Sequence, residues 1–164
     1  AVPDNDGVQT GTHRAWLDPS GGMKAMLASP RRAMGNILGN AVRFGHADDV
    51  MIAGEGIETM LSLREILPTM PMAAATSSAH LAAIMFPPTL QRLYVARDRD
   101  AAGDAAFGIL TDRAQAAGIE LMSLMPELGD FNDDLREHDA SVLGQQVCLL
   151  LHEHDRTRFF NDTG

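Results

Sequence analysis

Cysteine and aromatic residues are scarce in this sequence, and long apolar runs are missing. The one cysteine, Cys148, excludes a disulfide within the chain and a zinc ribbon, which needs paired cysteines. Aromatic residues make up 5% of the chain, which leaves little material for a platform that stacks nucleic-acid bases. No apolar run approaches the roughly 18 residues of a membrane-spanning helix, and no secretory leader is visible. We therefore expect a cytoplasmic protein that does not associate with membranes.

Positive charge is also in short supply, since 13 Lys and Arg face 22 Asp and Glu and the net charge is −9. This balance argues against binding nucleic acid by bulk electrostatics alone. Residues 1–45 nevertheless hold five basic and three acidic residues, whereas residues 46–164 hold eight basic and 19 acidic residues. The distribution suits a phosphate-contacting flank, with Lys24, Arg31 and Arg32 as candidates, beside a cation-binding centre. A solvated acidic surface explains the charge equally well.

The chain divides near residue 47 by its pattern. Residues 8–17 alternate loosely between apolar and polar side chains, and a turn-like stretch leads to residues 23–27, which we predict as the return strand of a hairpin. Residues 41–44 form another predicted strand. We therefore expect a small β-rich subdomain over residues 1–47.

From residue 48 onward, strand and helix patterns alternate. Strands are predicted at residues 50–53, 72–75, 92–96 and 119–125, and helices at residues 57–67, 77–86, 102–117 and 140–151. Such alternation predicts an α/β fold with a Rossmann-like parallel sheet of about four strands and helices on both faces. We assign residues 48–139 to this core and residues 140–164 to a C-terminal helix and tail, in which 152–154 (His-Glu-His) are interpreted as a solvated polar stretch.

Carboxylates follow three of the four predicted strands. Glu55 comes after the first, Asp98 and Asp100 after the third, and Asp130 and Asp133 after the fourth. Functional groups of a parallel sheet gather at the carboxyl ends of its strands, and Mg²⁺ prefers carboxylate oxygens. Each acid also has a simpler interpretation, as a helix cap, a turn residue or a loop acid. Their shared position at one sheet edge favours a metal site.

Other motif interpretations fail on spacing. The stretch that begins at Asp98 starts like an EF-hand loop, but Ala102 and Ile109 occupy positions that need oxygen ligands. Gly54-x-Gly56 lacks the third glycine of a dinucleotide fingerprint. No GxxxxGK(S/T) helicase loop occurs.

The combination Gly54-Glu55-Gly56, Asp98-x-Asp100-x-x-Gly103 and Gly-Asp-Phe-Asn-Asp at 129–133 resembles the TOPRIM domain of primases, topoisomerases and several nucleases. More narrowly, it is similar to the TOPRIM-like segments of primase or primase-helicase proteins of plasmids and phages. The resemblance covers residues 48–138 and implies a TOPRIM-type fold. Less specifically, the N-terminal part resembles the segment that precedes TOPRIM in those proteins.

The resemblance also implies a function. Glu55, Asp98 and Asp100 would be the catalytic residues and hold Mg²⁺, for which Mn²⁺ can substitute. Primase members often carry Asp where Thr59 stands here, so Asp130 or Asp133 would have to supply any missing ligand. Independently of the resemblance, we expect basic residues to contact nucleic acid or nucleotide, with Lys24, Arg31, Arg32, Arg97 and Arg99 as the candidates.

The leading hypothesis is the catalytic domain of a DNA primase, which acts on a single-stranded DNA template and NTPs. Because basic residues are few, we expect it to need further domains or a helicase partner. A metal-dependent nuclease and a non-catalytic binding module of a replication or mobilisation protein are the alternatives.

Overall fold

The computed structural model describes residues 1–16 and 31–160. The strands are β1 (Val2–Pro3), β2 (Gln9–Ala15), β3 (Arg31–Gly35), β4 (Val42–Phe44), β5 (Val50–Gly54), β6 (Met72–Ala74), β7 (Arg92–Ala96) and β8 (Glu120–Leu124). The helices are α1 (Ile57–Ile66), α2 (Ser78–Ala82), α3 (Ala101–Ala117), α4 (Phe131–Glu137), α5 (Ala140–Leu150) and α6 (Glu153–Phe160).

The main sheet has the strand order β4-β6-β5-β7-β8. Strands β6, β5, β7 and β8 are parallel to one another, which confirms the predicted four-stranded parallel sheet. Strand β4 adds an antiparallel edge next to β6. In the register, Gly54 lies opposite Ala96, and Ala96 lies opposite Leu124. The chain therefore leaves β5, β7 and β8 at the same level of the same sheet edge.

Helices cover both faces of the main sheet, as predicted. Residues alternate across a strand, so Ile52 of β5 packs into one core and Met51 into the other. The first core contains residues of α1, α4, α5 and α6, and the second contains residues of α2 and α3. Strand β5 is buried along its whole length and β7 is buried at residues 93–96, which explains their short apolar runs.

A small antiparallel sheet with the order β1-β2-β3 precedes the main sheet, in agreement with the expected β-rich N-terminal part. The predicted return strand at residues 23–27 lies outside the described residues. Within the described part of the chain, β2 pairs with β3, where Gly11 lies opposite Gly35. The sequence grouped Val42–Phe44 with this subdomain, whereas the structure pairs it with β6 of the main sheet.

The C-terminal region contains more helix than the sequence suggested. His152, Glu153 and His154 are exposed, as expected, but α6 begins at Glu153 and buries Asp155 and Phe159. The Asp155 carboxylate accepts hydrogen bonds from Tyr94 Oη at 2.6 Å and from Arg92 Nη1 at 2.7 Å. The helix is thereby fastened to β7. Over the described ranges, no helix combines the length and apolar character that crossing a membrane requires.

Candidate metal centre

The candidate site forms where the chain leaves β5, β7 and β8. Glu55 directly follows β5, and Asp98 is the second residue after β7. Past β8, the chain stays attached to the residues that follow β7, because Arg97 N donates to Leu124 O at 3.1 Å and Arg99 N donates to Gly129 O at 2.9 Å. These bonds bring the start of α4 to the edge that carries Asp98.

Asp98 is at the centre of the carboxylates. Burial raises its pKa from the ordinary value of 3.8 to about 6, and the negative charges of Glu55, Asp130, Asp100 and Asp133 add to the rise in that order. The other four sequence-predicted acids are therefore all near enough for their charges to act on the Asp98 carboxyl group. Such a concentration of negative charge is unfavourable unless a cation offsets it.

The environment of Asp98 fits a cation. Its Oδ1 atom is buried without a hydrogen-bond partner, although buried carboxylate oxygens are normally satisfied. Among the described residues, however, no three Asp, Glu, His or Cys side chains are already arranged to hold a metal ion. Like charges keep carboxylates apart, and Mg²⁺ usually takes one or two carboxylates and completes its shell with waters and substrate phosphates. The residues thus suit an open magnesium site and not a closed protein cage.

Two of the acids also cap helices. Asp100 Oδ1 accepts from Gly103 N at 2.7 Å at the start of α3, and Asp130 Oδ1 accepts from the amides of Asn132 and Asp133, each at 2.8 Å, at the start of α4. The structure therefore confirms the helix-cap interpretation of these two residues, and their role as metal ligands stays a prediction. The caps fix the two carboxylates in position.

Thr59 contacts the acid that was expected to compensate for it. Its buried Oγ1 lies 3.5 Å from Asp130 Oδ2, the oxygen that does not cap α4. Because Thr59 is on α1 and Asp130 precedes α4, this contact joins the exits of β5 and β8.

Two motif glycines permit close packing at the site. A Cβ atom on Gly103 would stand 2.6 Å from the carbonyl oxygen of Asp98, and one on Gly54 would stand 2.6 Å from Cε of Met60 and 3.2 Å from the carbonyl oxygen of Ala96. Any side chain at Gly103 would push the first turn of α3 away from Asp98.

The two arginines near the carboxylates that were predicted to contact nucleotides make contacts within the protein. Arg97 pairs with Asp104, and its guanidinium lies 4.4 Å from the centre of the Phe107 ring. Arg99 Nε donates to Pro126 O at 2.6 Å. Both side chains thus hold neighbouring segments, and their contact with nucleotides stays a prediction.

The remaining basic candidates belong to the N-terminal part of the sequence. Lys24 lies outside the described residues. The backbone of Arg31 pairs with Ala15 in the sheet, and Arg32 is exposed on β3 directly opposite Arg14 of β2. A role for these residues in binding phosphate stays a prediction.

Sequence reasoning missed Asp134, which is completely buried in α4. Its Oδ1 accepts from Leu128 N at 2.7 Å and its Oδ2 accepts from Glu127 N at 2.8 Å. A signal was available, because Asp134 is three residues after Phe131 and next to Leu135. This spacing places it on the apolar face of a helix.

A cavity of about 220 Å³ adjoins Glu55, between β2 and the start of α1. His13, Ile57 and Thr76 are among the residues that line it. Thr76 has a φ of +74°, which a β-branched residue rarely adopts, and its amide donates to Glu55 O at 2.8 Å. A larger apolar groove of about 720 Å³, lined by parts of α1, α5 and α6, contains none of the predicted site residues.

Comparison with protein families gives two matches. The family model of the Toprim domain matches residues 50–141, and the model of a domain of unknown function (DUF7146) matches residues 1–44. No curated protein matches the chain.

Comparison with solved structures finds primases. The chain is similar to the primase fragment of the bacteriophage T7 primase-helicase protein, with 18% identity, a TM-score of 0.54 and coverage of 89% of this chain and 60% of that chain. The Aquifex aeolicus primase (zinc binding and RNA polymerase domains) is 14% identical with a TM-score of 0.61, and the match covers 96% of this chain and 44% of that chain. A DNA primase domain from Pseudomonas aeruginosa is 14% identical with a TM-score of 0.59, and the match covers 89% of this chain and 48% of that chain. The chain thus spans about half the length of these proteins, and identities this low show a shared fold alone.

Proposed function

This chain belongs to the Toprim domain family, and from that premise we propose that it is the catalytic domain of a DNA primase, which makes primers by Mg²⁺-dependent phosphodiester chemistry. The observation that carries the proposal is the clustering of Glu55, Asp100, Asp130 and Asp133 around Asp98 at the carboxyl edge of the sheet. A buried, unpartnered carboxylate oxygen at the centre of this cluster supports the binding of a divalent cation.

Several carboxylates would bind the cation together. Asp98 would bind it through Oδ1, with Glu55 and Asp100 from the same sheet edge. Asp130 would contribute through Oδ2, because its Oδ1 is used by the α4 cap. A bound Mg²⁺ would neutralise charge on the transferring phosphoryl group and activate the attacking oxygen. Mn²⁺ should substitute, since it also prefers oxygen ligands.

The protein itself would position the reactants and move the proton. Glu55 directly follows β5 and would lie beside the cation, so its carboxylate would accept a proton from an attacking hydroxyl group. The capped turns at Asp100 and Asp130 hold their carboxylates rigid. Rigid positioning is what phosphoryl transfer mainly needs from a protein.

Primase activity is preferred over nuclease activity because the structural likeness extends beyond the Toprim domain. The family match covers residues 50–141, but the primase structures cover 89–96% of the chain. A likeness of that extent includes much of the N-terminal sheet as well as the sheet that carries the carboxylates. The relatives named above are a primase-helicase protein and a primase with zinc-binding and RNA polymerase domains. We therefore propose that template selection and unwinding depend on further domains or a helicase partner.

Primer synthesis tests the proposal. The 164-residue chain and a longer protein that contains its neighbouring regions are each incubated with single-stranded DNA, Mg²⁺ and labelled NTPs. We expect primers from the longer protein and little or no product from the chain alone, since its acidic surface repels the template. The chain alone should still bind nucleotides in an Mg²⁺-dependent manner.

The matched variants are Asp98→Ala, which should abolish synthesis, and Asp112→Ala, an exposed acid on α3 that should have no effect. Strand cleavage without NTPs that Asp98→Ala abolishes would replace the primase proposal with the nuclease alternative. Affinity for nucleic acid without any product from the longer protein would identify a binding module.

A further inference from the structure

The segment between β8 and α4, residues 125–130, delivers Asp130 to the metal centre. One side of this segment is attached to the residues after β7, through Arg99 Nε to Pro126 O at 2.6 Å and Arg99 N to Gly129 O at 2.9 Å. On the other side, Asp130 caps α4 through Oδ1. The position of the segment therefore determines where Asp130 Oδ2 points.

Asp134 fastens the same segment from within the core. Both of its carboxylate oxygens accept backbone amides of the segment, from Glu127 at 2.8 Å and from Leu128 at 2.7 Å. Its own amide donates to Asp130 O at 3.1 Å. Asp134 thus binds the middle of the segment through its side chain and the end of the segment through its backbone amide. The side chains of Glu127 and Leu128 are nevertheless exposed.

A carboxylate is a costly choice for this position. Asp134 is 0% exposed and lies beside Phe131 and Leu135 on the face of α4 that packs towards the first core. A leucine would fill such a position without burying a charge, and other acids lie nearby in Asp130 and Asp133. A leucine could not accept the two hydrogen bonds from the backbone amides. The carboxylate is therefore explained by its hold on the segment and not by packing.

We propose that Asp134 is a positioning residue of the metal centre, which fixes the segment before α4 so that Asp130 faces Asp98. This inference rests on the proposed function. Residues that orient metal ligands typically change metal affinity by about 10–100-fold when they are replaced. Asp134 acts in this account through Asp130 and does not touch the cation.

The test measures Mn²⁺ affinity of the full chain by calorimetry. Asp134→Asn keeps the shape of the side chain but places an NH₂ group against one of the two backbone amides. We expect Mn²⁺ to bind about 10–100-fold more weakly. The matched control is Asp139→Asn, the same chemical change at the exposed cap of α5, where Asn serves as well as Asp. A second control, Ile84→Ala, removes side-chain atoms from the second core, which contains neither Asp134 nor any residue of the segment.

The outcomes separate the hypotheses. Weaker Mn²⁺ binding in Asp134→Asn alone supports the inference, whereas unchanged affinity in Asp134→Asn overturns it. An equal loss in Ile84→Ala would also overturn it, since reduced stability would then suffice as the cause. Mn²⁺ binding that survives Asp98→Asn would overturn the metal centre itself. If Asp134→Asn does not fold, hydrogen exchange in the unsubstituted chain decides. The amides of Glu127 and Leu128 must exchange slowly despite their exposed side chains, and fast exchange refutes the proposal.

Discussion

Replacing Asp98 by asparagine is expected to stabilise the fold while it removes the proposed metal site. The folded-state pKa of Asp98 is raised to about 6, through burial and then through the charges of neighbouring acids, chiefly Glu55 and Asp130. The folded state therefore holds the proton more tightly than the unfolded chain does. As pH rises from about 4 to about 6, the free energy of unfolding therefore falls, because Asp98 ionises at lower pH in the unfolded chain than in the folded one. Above about pH 6 the loss is complete and stays constant. The amide side chain of the Asp98→Asn variant would carry no charge at any pH.

The size of the effect follows from the pKa. A rise from 3.8 to about 6 corresponds to about 3 kcal/mol at 1.36 kcal/mol for each pH unit. Asp98 is partly exposed, so solvent screening reduces this figure, and we expect about 1–2 kcal/mol. For a chain of this length, such a gain raises the Tm by about 2–8 °C. The gain should be complete at pH 7–8, shrink between about pH 6 and pH 4, and vanish below pH 4.

Urea unfolding with EDTA at pH 8, 5 and 3.8 measures this gain directly. Asp112→Asn, at an exposed position of α3, controls for the loss of one negative charge from the surface. Mg²⁺ should then stabilise the unsubstituted chain but not Asp98→Asn, because only the former presents the carboxylate. A variant that is less stable at pH 8, or that keeps the same gain at pH 3.8, would refute the electrostatic description of the cluster.

Three further substitutions probe separate contacts. Tyr94→Phe removes the hydroxyl that donates to buried Asp155, and it should cost about 1–3 kcal/mol in urea unfolding with unchanged Mn²⁺ affinity; an altered affinity would contradict the separation of that network from the site. Thr59→Val removes the hydroxyl next to Asp130 and should weaken Mn²⁺ binding in calorimetry, whereas equal binding would leave Thr59 as a core residue only. Arg32→Glu places an acid opposite Arg14 and should stabilise the chain by about 0.2–1 kcal/mol. It should also reduce the slope of log affinity against log salt concentration for single-stranded DNA by about 0.7, the value for one lost phosphate contact. An unchanged slope would identify Arg32 as a solvated surface residue.

The parallel sheet and the cluster of acids were predictable because local patterns determine them. A short, fully buried strand such as β5 leaves an unbroken apolar run in the sequence, and the residues after parallel strands meet at one edge. Glu55 and Asp98 could therefore be placed together without knowledge of distances.

The burial of Asp155 was not predictable in the same way. The Oδ2 atom of Asp155 accepts hydrogen bonds from Arg92 and Tyr94, which lie some sixty residues away in the sequence and meet it only in the folded chain. Its surroundings in sequence, His152 and Glu153 among them, are polar, so α6 lacks the apolar stripe that predicts a packed helix. Burial of Asp155 depends on these tertiary partners, whereas Asp134 stands next to apolar residues of its own helix.

The placement of β4 also required the structure. A strand of three residues carries too little alternation to specify which neighbour it pairs with. Its position before β5 suggested membership of the N-terminal sheet, but Val42 lies opposite Ala74 in the main sheet. The antiparallel edge thereby completes a mixed sheet that the strand–helix alternation alone did not indicate.

The central claim is that these carboxylates bind a divalent cation together with a nucleotide. The most direct measurement is the anomalous diffraction of crystals of the chain soaked with Mn²⁺ and an NTP. We predict a manganese peak in contact with Asp98 and with at least one of Glu55, Asp100 and Asp130, bridged to the phosphates of the nucleotide. A peak elsewhere on the protein, or a bound nucleotide without manganese at Asp98, would contradict this account.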